Sequence, residues 1–270
     1  MAARQPRERL DQALVARALA PTRSKAQALV LAGLVSVDGV LARTAGQAVR
    51  VDQTIELKAL PRFVSRAGDK LDRLLEHLGW DVAGVRALDI GASTGGFTDC
   101  LLQRGAAAVI AVDVGYGQLD SKLRDDPRVT VMERTNARAL VADALPFAPN
   151  LIVADVSFIS LRHILGPAFA QADAPWRAVV LVKPQFEVAP KDVGKGGVVR
   201  DLAVRERAVA SVARYAYNLG AVPLIARDSG FPGPAGNHEY PLAIVSKDHP
   251  LARDAEPNPE QIAKDALDDA

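Results

Sequence analysis

The sequence is poor in the residues that build disulfides, metal centres and membrane spans. Cysteine occurs once, at Cys100, so no disulfide can close within the chain, which suits a reducing compartment. The four histidines (His77, His163, His238 and His249) show no ligand spacing, and His238-Glu239 lacks the second histidine of H-E-x-x-H. No metal is therefore expected. No apolar run approaches the ~18 residues of a spanning helix, and residues 1–10 are polar and Arg-rich with no apolar stretch behind them, unlike a signal peptide. The expectation is a soluble cytoplasmic protein with no membrane partner.

What is present is a long, core-forming chain with uneven charge. Its 270 residues suit one small and one medium domain, and 49% hydrophobic residues can bury a sizeable core. The net charge of +1 hides 12 Lys/Arg against 6 Asp/Glu over residues 1–70 and 3 against 7 over residues 247–270. A basic head on a neutral body suits a polyanionic partner, although a solvated surface would show the same count.

The opening residues read as two short helices and a small sheet. Leu10, Leu14 and Ala18 share one helical face over residues 9–20, and Pro21 ends that segment. Thr22 can cap a second helix that runs to Gly33. Asp38-Gly39 predicts a hairpin turn, and residues 49–57 read as another strand. Leu60-Pro61 breaks the pattern. The expected organisation is an N-terminal α+β domain at 1–60, a linker at 61–66, a large α/β domain at 67–249 and an acidic tail at 250–270, either a short helix from Pro259 or disordered.

From residue 66 strands and helices alternate. A helix with Leu71, Leu74, Leu75 and Leu78 on its apolar face is followed by strand candidates at 85–90, 109–112, 129–132, 151–154, 178–182, 222–226 and 242–245, with a helix over 202–219. That rhythm predicts a parallel, doubly wound sheet covered on both faces. Four apolar strands finish near a charge: Asp89, Asp113, Asp155 and Lys183. Ligands of open α/β sheets bind outside the carboxyl ends of the strands, so these charges mark a site. The first strand runs into Gly91-Ala92-Ser93-Thr94-Gly95-Gly96-Phe97-Thr98, and Asp113 lies 22 positions after Gly91. A carboxylate at that distance can hold the hydroxyls of a ribose, which points to a nucleoside-containing cofactor. Gly91 to Gly95 also fits the G-x-S-x-G elbow of hydrolases, with Asp155 and His238 as formal partners. That reading leaves Asp113 without a task, and loss of all activity in Ser93→Ala would be its mark.

The strings SRAGDKL (65–71), DIGASTGGFTD (89–99), DVGYGQL (113–119), ERTNAR (133–138), ADVSFISL (154–161), VKPQFE (182–187) and GNHEY (236–240), taken in order, resemble the TlyA-type ribosomal RNA methyltransferases. The resemblance runs from about Arg9 to Lys247. The N-terminal part is similar to the alpha-L RNA-binding motif, and the remainder to the FtsJ-like enzymes, which methylate ribose 2′-hydroxyls. The family implies a Rossmann-like class I methyltransferase fold, S-adenosylmethionine as cofactor and ribosomal RNA within ribosomal subunits as substrate. By motif, its catalytic tetrad maps to Lys70, Asp155, Lys183 and Glu239, with Lys183 as base and the carboxylates as orienting groups. Cofactor contacts map to Asp89, Gly91, Ser93, Gly95, Asp113, Asn136 and Asp155; Phe97 and Phe158 line the pocket or belong to the core. Arg9, Arg17, Arg23 and Lys25 are the expected phosphate contacts. A full first helix and a C-terminal tail resemble the longer members, which modify cytidine in both subunits. A non-catalytic RNA-binding or ribosome-assembly protein is the alternative. The haemolysin name that some relatives carry implies no pore here, since spanning segments are absent.

Overall fold

The computed structural model describes residues 7–58, 62–141, 143–233, 235–253 and 255–268. The chain divides into two compact units, Met1–Arg62 and Phe63–Ala270. The Leu60-Pro61 boundary expected from sequence lies outside the described residues. Phe63 is buried against the core that holds Leu71, so the residues just before the first helix of the larger unit belong to that unit's core and not to a free linker.

In the smaller unit, β1 (Arg7–Arg9) leads directly into α1 (Leu10–Ala16), followed by α2 (Arg23–Leu31), β2 (Val35–Val37), β3 (Val40–Leu41), β4 (Ala48–Arg50) and β5 (Ile55–Leu57). Thr22 caps α2 by accepting from the Lys25 amide at 3.2 Å. Asp38 and Gly39 both take left-handed φ, at 50° and 76°, as a tight hairpin turn requires. Two expectations change. The first helix stops at Ala16 because Ala18 turns left-handed, φ 56°, ahead of Pro21. The strand expected at 49–57 is two strands: β4 pairs with β1, while β5 pairs with β2. Leu10, Leu14, Val30, Val35 and Val49 fill the core.

The larger unit runs α3 (Arg66–Leu78), β6 (Arg86–Ile90), α4 (Gly96–Gln103), β7 (Ala108–Val112), α5 (Ser121–Arg124), β8 (Val129–Met132), β9 (Leu151–Ala154), α6 (Leu165–Ala170), β10 (Arg177–Val182), α7 (Pro184–Glu187), α8 (Leu202–Asn218), β11 (Ala221–Ala226), β12 (Tyr240–Ser246) and α9 (Pro259–Asp268). The seven strands form one sheet in the order β11-β12-β10-β9-β6-β7-β8. Alternate residues serve opposite faces: Leu88 and Ile90 pack under α6, α8 and α9, while Ala87 packs under α3 and α4. Each fully buried leucine of α3 contributes on the order of 1.5–3 kcal/mol, and Leu71, Leu74 and Leu75 are the three that do so.

The sheet is not wholly parallel. β12 runs antiparallel to both neighbours, β10 and β11. Among the described residues the segment between β11 and β12 contains no helix to carry the chain back across a face, so the strand returns in the opposite sense. The acidic tail is ordered as α9, because Ile262, Ala263 and Ala266 form a buried stripe in the core that α8 also lines. It is a working part of the larger unit.

Candidate active site

The chain leaves β6 towards β7 on one side and later returns to β9 on the other, so β6 and β9 flank the topological switch point. Ligands of such sheets sit outside the strand ends there. A cavity of 330 Å³ opens at that point, lined among others by Lys70, Asp89, Gly91, Phe97, Asp155, Lys183 and Glu239. A second, of 370 Å³, shares Gly91, Ser93, Asp155 and Ser157 with it and extends past Asp113, Asn136 and Phe158. The two form one cleft with a charged lobe and a more apolar lobe.

Four charged side chains meet in the first lobe as two pairs. Lys183 Nζ lies 2.6 Å from Asp155 Oδ1, aligned as an ion pair and not as a directed hydrogen bond, and donates to Ser157 Oγ at 3.1 Å. Lys70 donates to Glu239, whose side chain is only 3% exposed. Lys183 follows β10 and Asp155 follows β9, as the strand-end argument requires. Glu239 arrives differently: it immediately precedes β12, and because β12 is antiparallel, the start of that strand lies at the same edge as the ends of the others. Lys70 comes from the first turns of α3.

Asp89 sits at the base of this lobe with no exposed surface. Its Oδ2 accepts from the Thr98 amide at 3.0 Å and from Thr98 Oγ1 at 2.7 Å, while Oδ1 is buried with no partner. Burial pushes its carboxyl up to about 7, against the Thr98 bonds and with added repulsion from Asp155 and Asp113. A buried acceptor without a donor, facing a cavity, fits a ligand that brings N–H or positive charge.

The glycine loop explains the approach to that ligand. Gly91 has φ 81°, and a Cβ there would stand 2.5 Å from the Asp155 carbonyl oxygen. Gly95 has φ 95°, and a Cβ there would strike Leu123. Only glycine allows the β6 and β9 loops to close to this distance. Gly91→Ala is expected to weaken nucleoside binding in this cleft by about tenfold or more, since the added Cβ, 2.5 Å from the Asp155 carbonyl, would push the two loops apart; calorimetric titration with S-adenosylmethionine, the cofactor expected from the sequence, checks it.

In the second lobe, Asp113 Oδ2 accepts from the Ser93 amide at 2.8 Å and Oδ1 from the Gly115 amide at 2.7 Å. Each oxygen keeps a further acceptor position. The carboxylate thus ties two loops together beside the space where a ribose would lie. Asn136 Oδ1 accepts from the Arg138 amide at 3.1 Å, leaving the amide nitrogen of this cleft-lining side chain to donate.

Phe97 and Phe158 part company. Phe97 is 3% exposed core that also walls the first lobe, whereas Phe158 is 91% exposed, has φ 64° and leans on Phe186 with ring centroids 5.2 Å apart. The positive φ holds the ring out of the core, on the rim of the second lobe. Phe158 also borders a 510 Å³ cavity that shares Ser157, Lys183 and Glu239 with the charged lobe. Sequence reasoning missed Ser157 and Thr98, the hydroxyls that hold Lys183 and Asp89. Both stand inside quoted strings, ADVSFISL and DIGASTGGFTD, but a serine and a threonine carry no signal of their own.

In the smaller unit, Asp11 has no exposed surface because guanidinium groups cover it: Arg9 donates to both oxygens at 3.0 Å, Arg23 Nε at 2.9 Å and Gln27 at 3.0 Å. Those bonds, the one from Arg9 foremost, hold its carboxyl well below the usual range. Arg9 and Arg23 are thereby held in place at the surface, and Lys25 is exposed. Arg17 instead donates to the carbonyls of Gln53, Arg50 and Val51, which makes it a staple for the turn between β4 and β5. Among the described residues no group of three or more His, Cys, Asp or Glu is placed to hold a metal, and no helix is long and apolar enough to cross a membrane.

The sheet order and the switch-point cleft define a methyltransferase-type α/β fold. Residues 63–245 match the FtsJ-like methyltransferase family and residues 8–55 the S4 domain. The chain belongs to the FtsJ-like methyltransferases, in the branch that carries an S4 domain. It is 49% identical to the 16S/23S rRNA (cytidine-2′-O)-methyltransferase TlyA of Mycobacterium tuberculosis, over 87% of this chain and 88% of that one. It is 40% identical to Hemolysin A of Brachyspira hyodysenteriae, covering 86% and 97%. Among solved structures, a haemolysin-named protein of Streptococcus thermophilus aligns over 98% of both chains with a TM-score of 0.70 and 34% identity.

Proposed function

We propose that this chain transfers the methyl group of S-adenosylmethionine to the ribose 2′-hydroxyl of cytidine in ribosomal RNA, in the large subunit and in the small one. The observation that carries the reading is the pair Lys183–Asp155 beside Lys70–Glu239, in a cleft whose other lobe offers Asp113 and Asn136. Bound S-adenosylmethionine supplies a methyl already activated by its sulfonium charge. Asp89, the Gly91–Gly95 loop, Asp113 and Asn136 hold it. A ribose hydroxyl is a poor nucleophile until its proton is shared or lost. Having first given its own proton to solvent, Lys183 Nζ as the neutral amine takes that of the hydroxyl while the methyl passes from sulfonium to oxygen and S-adenosylhomocysteine leaves; Asp155 and Ser157 fix the direction in which Nζ points, and Lys70 with Glu239 orients the hydroxyl. Much of the rate comes from holding the two reacting groups in line.

Phe158 stacks on the acceptor base, and Arg9, Arg23 and Lys25 contact phosphates that position the enzyme without reading sequence. Phe158→Ala is expected to raise the KM for RNA about tenfold, from a stacking contribution of 1–3 kcal/mol, with cofactor affinity unchanged; steady-state kinetics at varied RNA and fixed cofactor check this. Acting on ribosomes places the protein in the cytoplasm.

The deciding experiment is transfer of labelled methyl to separated, unmethylated small and large ribosomal subunits. Label recovered as 2′-O-methylcytidine from both establishes the reading, and label in one alone narrows it to that subunit. Intact cofactor binding with no label on either would leave an RNA-binding role instead.

A further inference from the structure

Lys70 has a second cavity on its other side. A cleft of 300 Å³ runs between one face of α3 and the loop that follows β11, lined by Lys70, Arg73, His77, Arg227, Asp228 and Gly230 among others. Helical rise places Arg73 about 4.5 Å and His77 about 10.5 Å along the axis from Lys70, so the positions follow a line away from the tetrad.

Of the cations that line this cleft, Lys70 is paired with Glu239, whereas Arg73 has no carboxylate partner among the described residues. The described partner of Arg73 is the ring of Phe231, 4.4 Å from its guanidinium carbon. Among the described residues Asp69 and Glu76, one helical turn to either side, form no ion pair with it; Gly230, where a Cβ would come within 3.2 Å of Arg73 Nη1, allows the loop to pass close beside a guanidinium that remains exposed. Asp228, the carboxylate that lines the cleft among the described residues, is occupied: Oδ2 lies 2.5 Å from His238 Nδ1 and Oδ1 accepts from the Gly230 amide at 2.8 Å. A concave site with an uncompensated guanidinium, adjoining a lysine that faces the acceptor ribose, suits a monoanion on the same polymer.

We infer that this cleft binds a backbone phosphodiester of the RNA strand next to the nucleotide being methylated, with Arg73 as its principal contact; the inference rests on the RNA substrate proposed above. The ribose lies on one side of Lys70 and its flanking phosphate on the other, so the strand crosses α3 at Lys70. The contact is to phosphate, so it adds affinity and register without preference for base.

The test is equilibrium binding of the full chain to transcribed large-subunit ribosomal RNA over a series of salt concentrations. Each lost phosphate contact lowers the slope of log K against log salt by about 0.7–0.9. Arg73→Gln, which removes the charge that lies over Phe231, is expected to flatten the slope by that amount, and Arg73→Lys to retain it. His77→Lys, which adds a fixed charge to the same line, is expected to steepen it by a similar amount. Arg86→Ala, at the opposite end of the sheet and paired with Asp173 at 3.3 Å, serves as the control and leaves it unchanged. The inference is overturned if neither Arg73→Gln nor His77→Lys moves the slope relative to that control. If the wild type binds this RNA through Arg73 yet transfers no methyl to any ribosomal RNA, the proposed reaction fails and the phosphate site stands. If it methylates and the slopes do not move, the reverse holds.

Discussion

Lys183→Met is expected to lower methyl transfer by about three to four powers of ten, the upper part of the range for a general base, while the cofactor Kd stays within about twofold. Methionine keeps most of the length and volume of the stem and removes only the group that meets the substrate. In the structure that group is held from two directions, by Asp155 at 2.6 Å and Ser157 at 3.1 Å, and its side chain is 11% exposed. Of the cofactor-facing positions, Asp89 and Asp113 are held by bonds that do not involve it, and Asp155, which pairs with it, is fixed by its place at the end of β9. The loss should therefore appear in kcat, with the KM for RNA little changed. Glu239→Gln in the same background should add far less than it costs alone, because residues that act as one unit are not additive. Single-turnover transfer of labelled methyl to ribosomal subunits measures both. A Lys183→Met enzyme within tenfold of wild type would remove Lys183 from the proton path.

Asp89→Asn has its large effect on stability, and the effect depends on pH. The carboxyl is raised in the folded cofactor-free protein from 3.8 to about 7. Below pH 4 it is protonated in folded and unfolded chains alike. Between 4 and 7 the unfolded chain gives up the proton and the folded chain keeps it, so stability falls as pH rises. Above 7 both forms are ionised and the loss is complete. Between pH 5 and pH 8.5 the wild type should lose about 2–3 kcal/mol from this group. Asparagine can keep the Thr98 bonds through its oxygen and never ionises. The variant should therefore gain on the wild type by roughly 5–10 °C in Tm across that interval, and thermal unfolding at the two pH values reads it directly. An offset that does not change with pH would place the ionisation of Asp89 elsewhere. The same substitution weakens cofactor binding, because the partnerless Oδ1 is replaced by a donor.

The strands of the larger unit were legible in the sequence to within a few residues, because buried strands such as Val109–Val112 and Leu151–Ala154 are continuous apolar runs and each ends at a charge; the tail expected outside that unit was not legible as part of its core, since only Ile262, Ala263 and Ala266 of α9 carry the buried stripe. That pattern located Asp113, Asp155 and Lys183 without help from any relative. It could not locate Glu239, since the end of a parallel strand is the wrong place to look for a group brought in by the start of an antiparallel one. Lys70 was hidden for another reason: its helix buries Leu71, Leu74 and Leu75 in one stripe, and a lysine beside that stripe reads as a solvated face. In the smaller unit, strands of two or three residues are shorter than any periodicity can resolve, so β1 went unseen and β4 merged with β5. The basic count over residues 1–70 indicated an anionic partner but not that Arg17 is committed to backbone carbonyls, which is a property of a turn formed 33 to 36 residues later.

The antiparallel β12 also sets an order on the making of the protein. The chain leaves the ribosome from its N-terminus, so the S4 unit is complete before the first catalytic lysine has its helix. The parallel strands and α8 can assemble next. Until Tyr240–Ser246 emerges and slides between β10 and β11, the edge of β10 carries an unpaired row of amides and carbonyls, and Glu239 has not met Lys70. An open, apolar strand edge is where a nascent chain associates wrongly. A chain truncated before β12 would retain its RNA-binding unit, lack the fourth charge of its site and expose that edge, and it would be recovered as aggregate more readily than as a weakened enzyme.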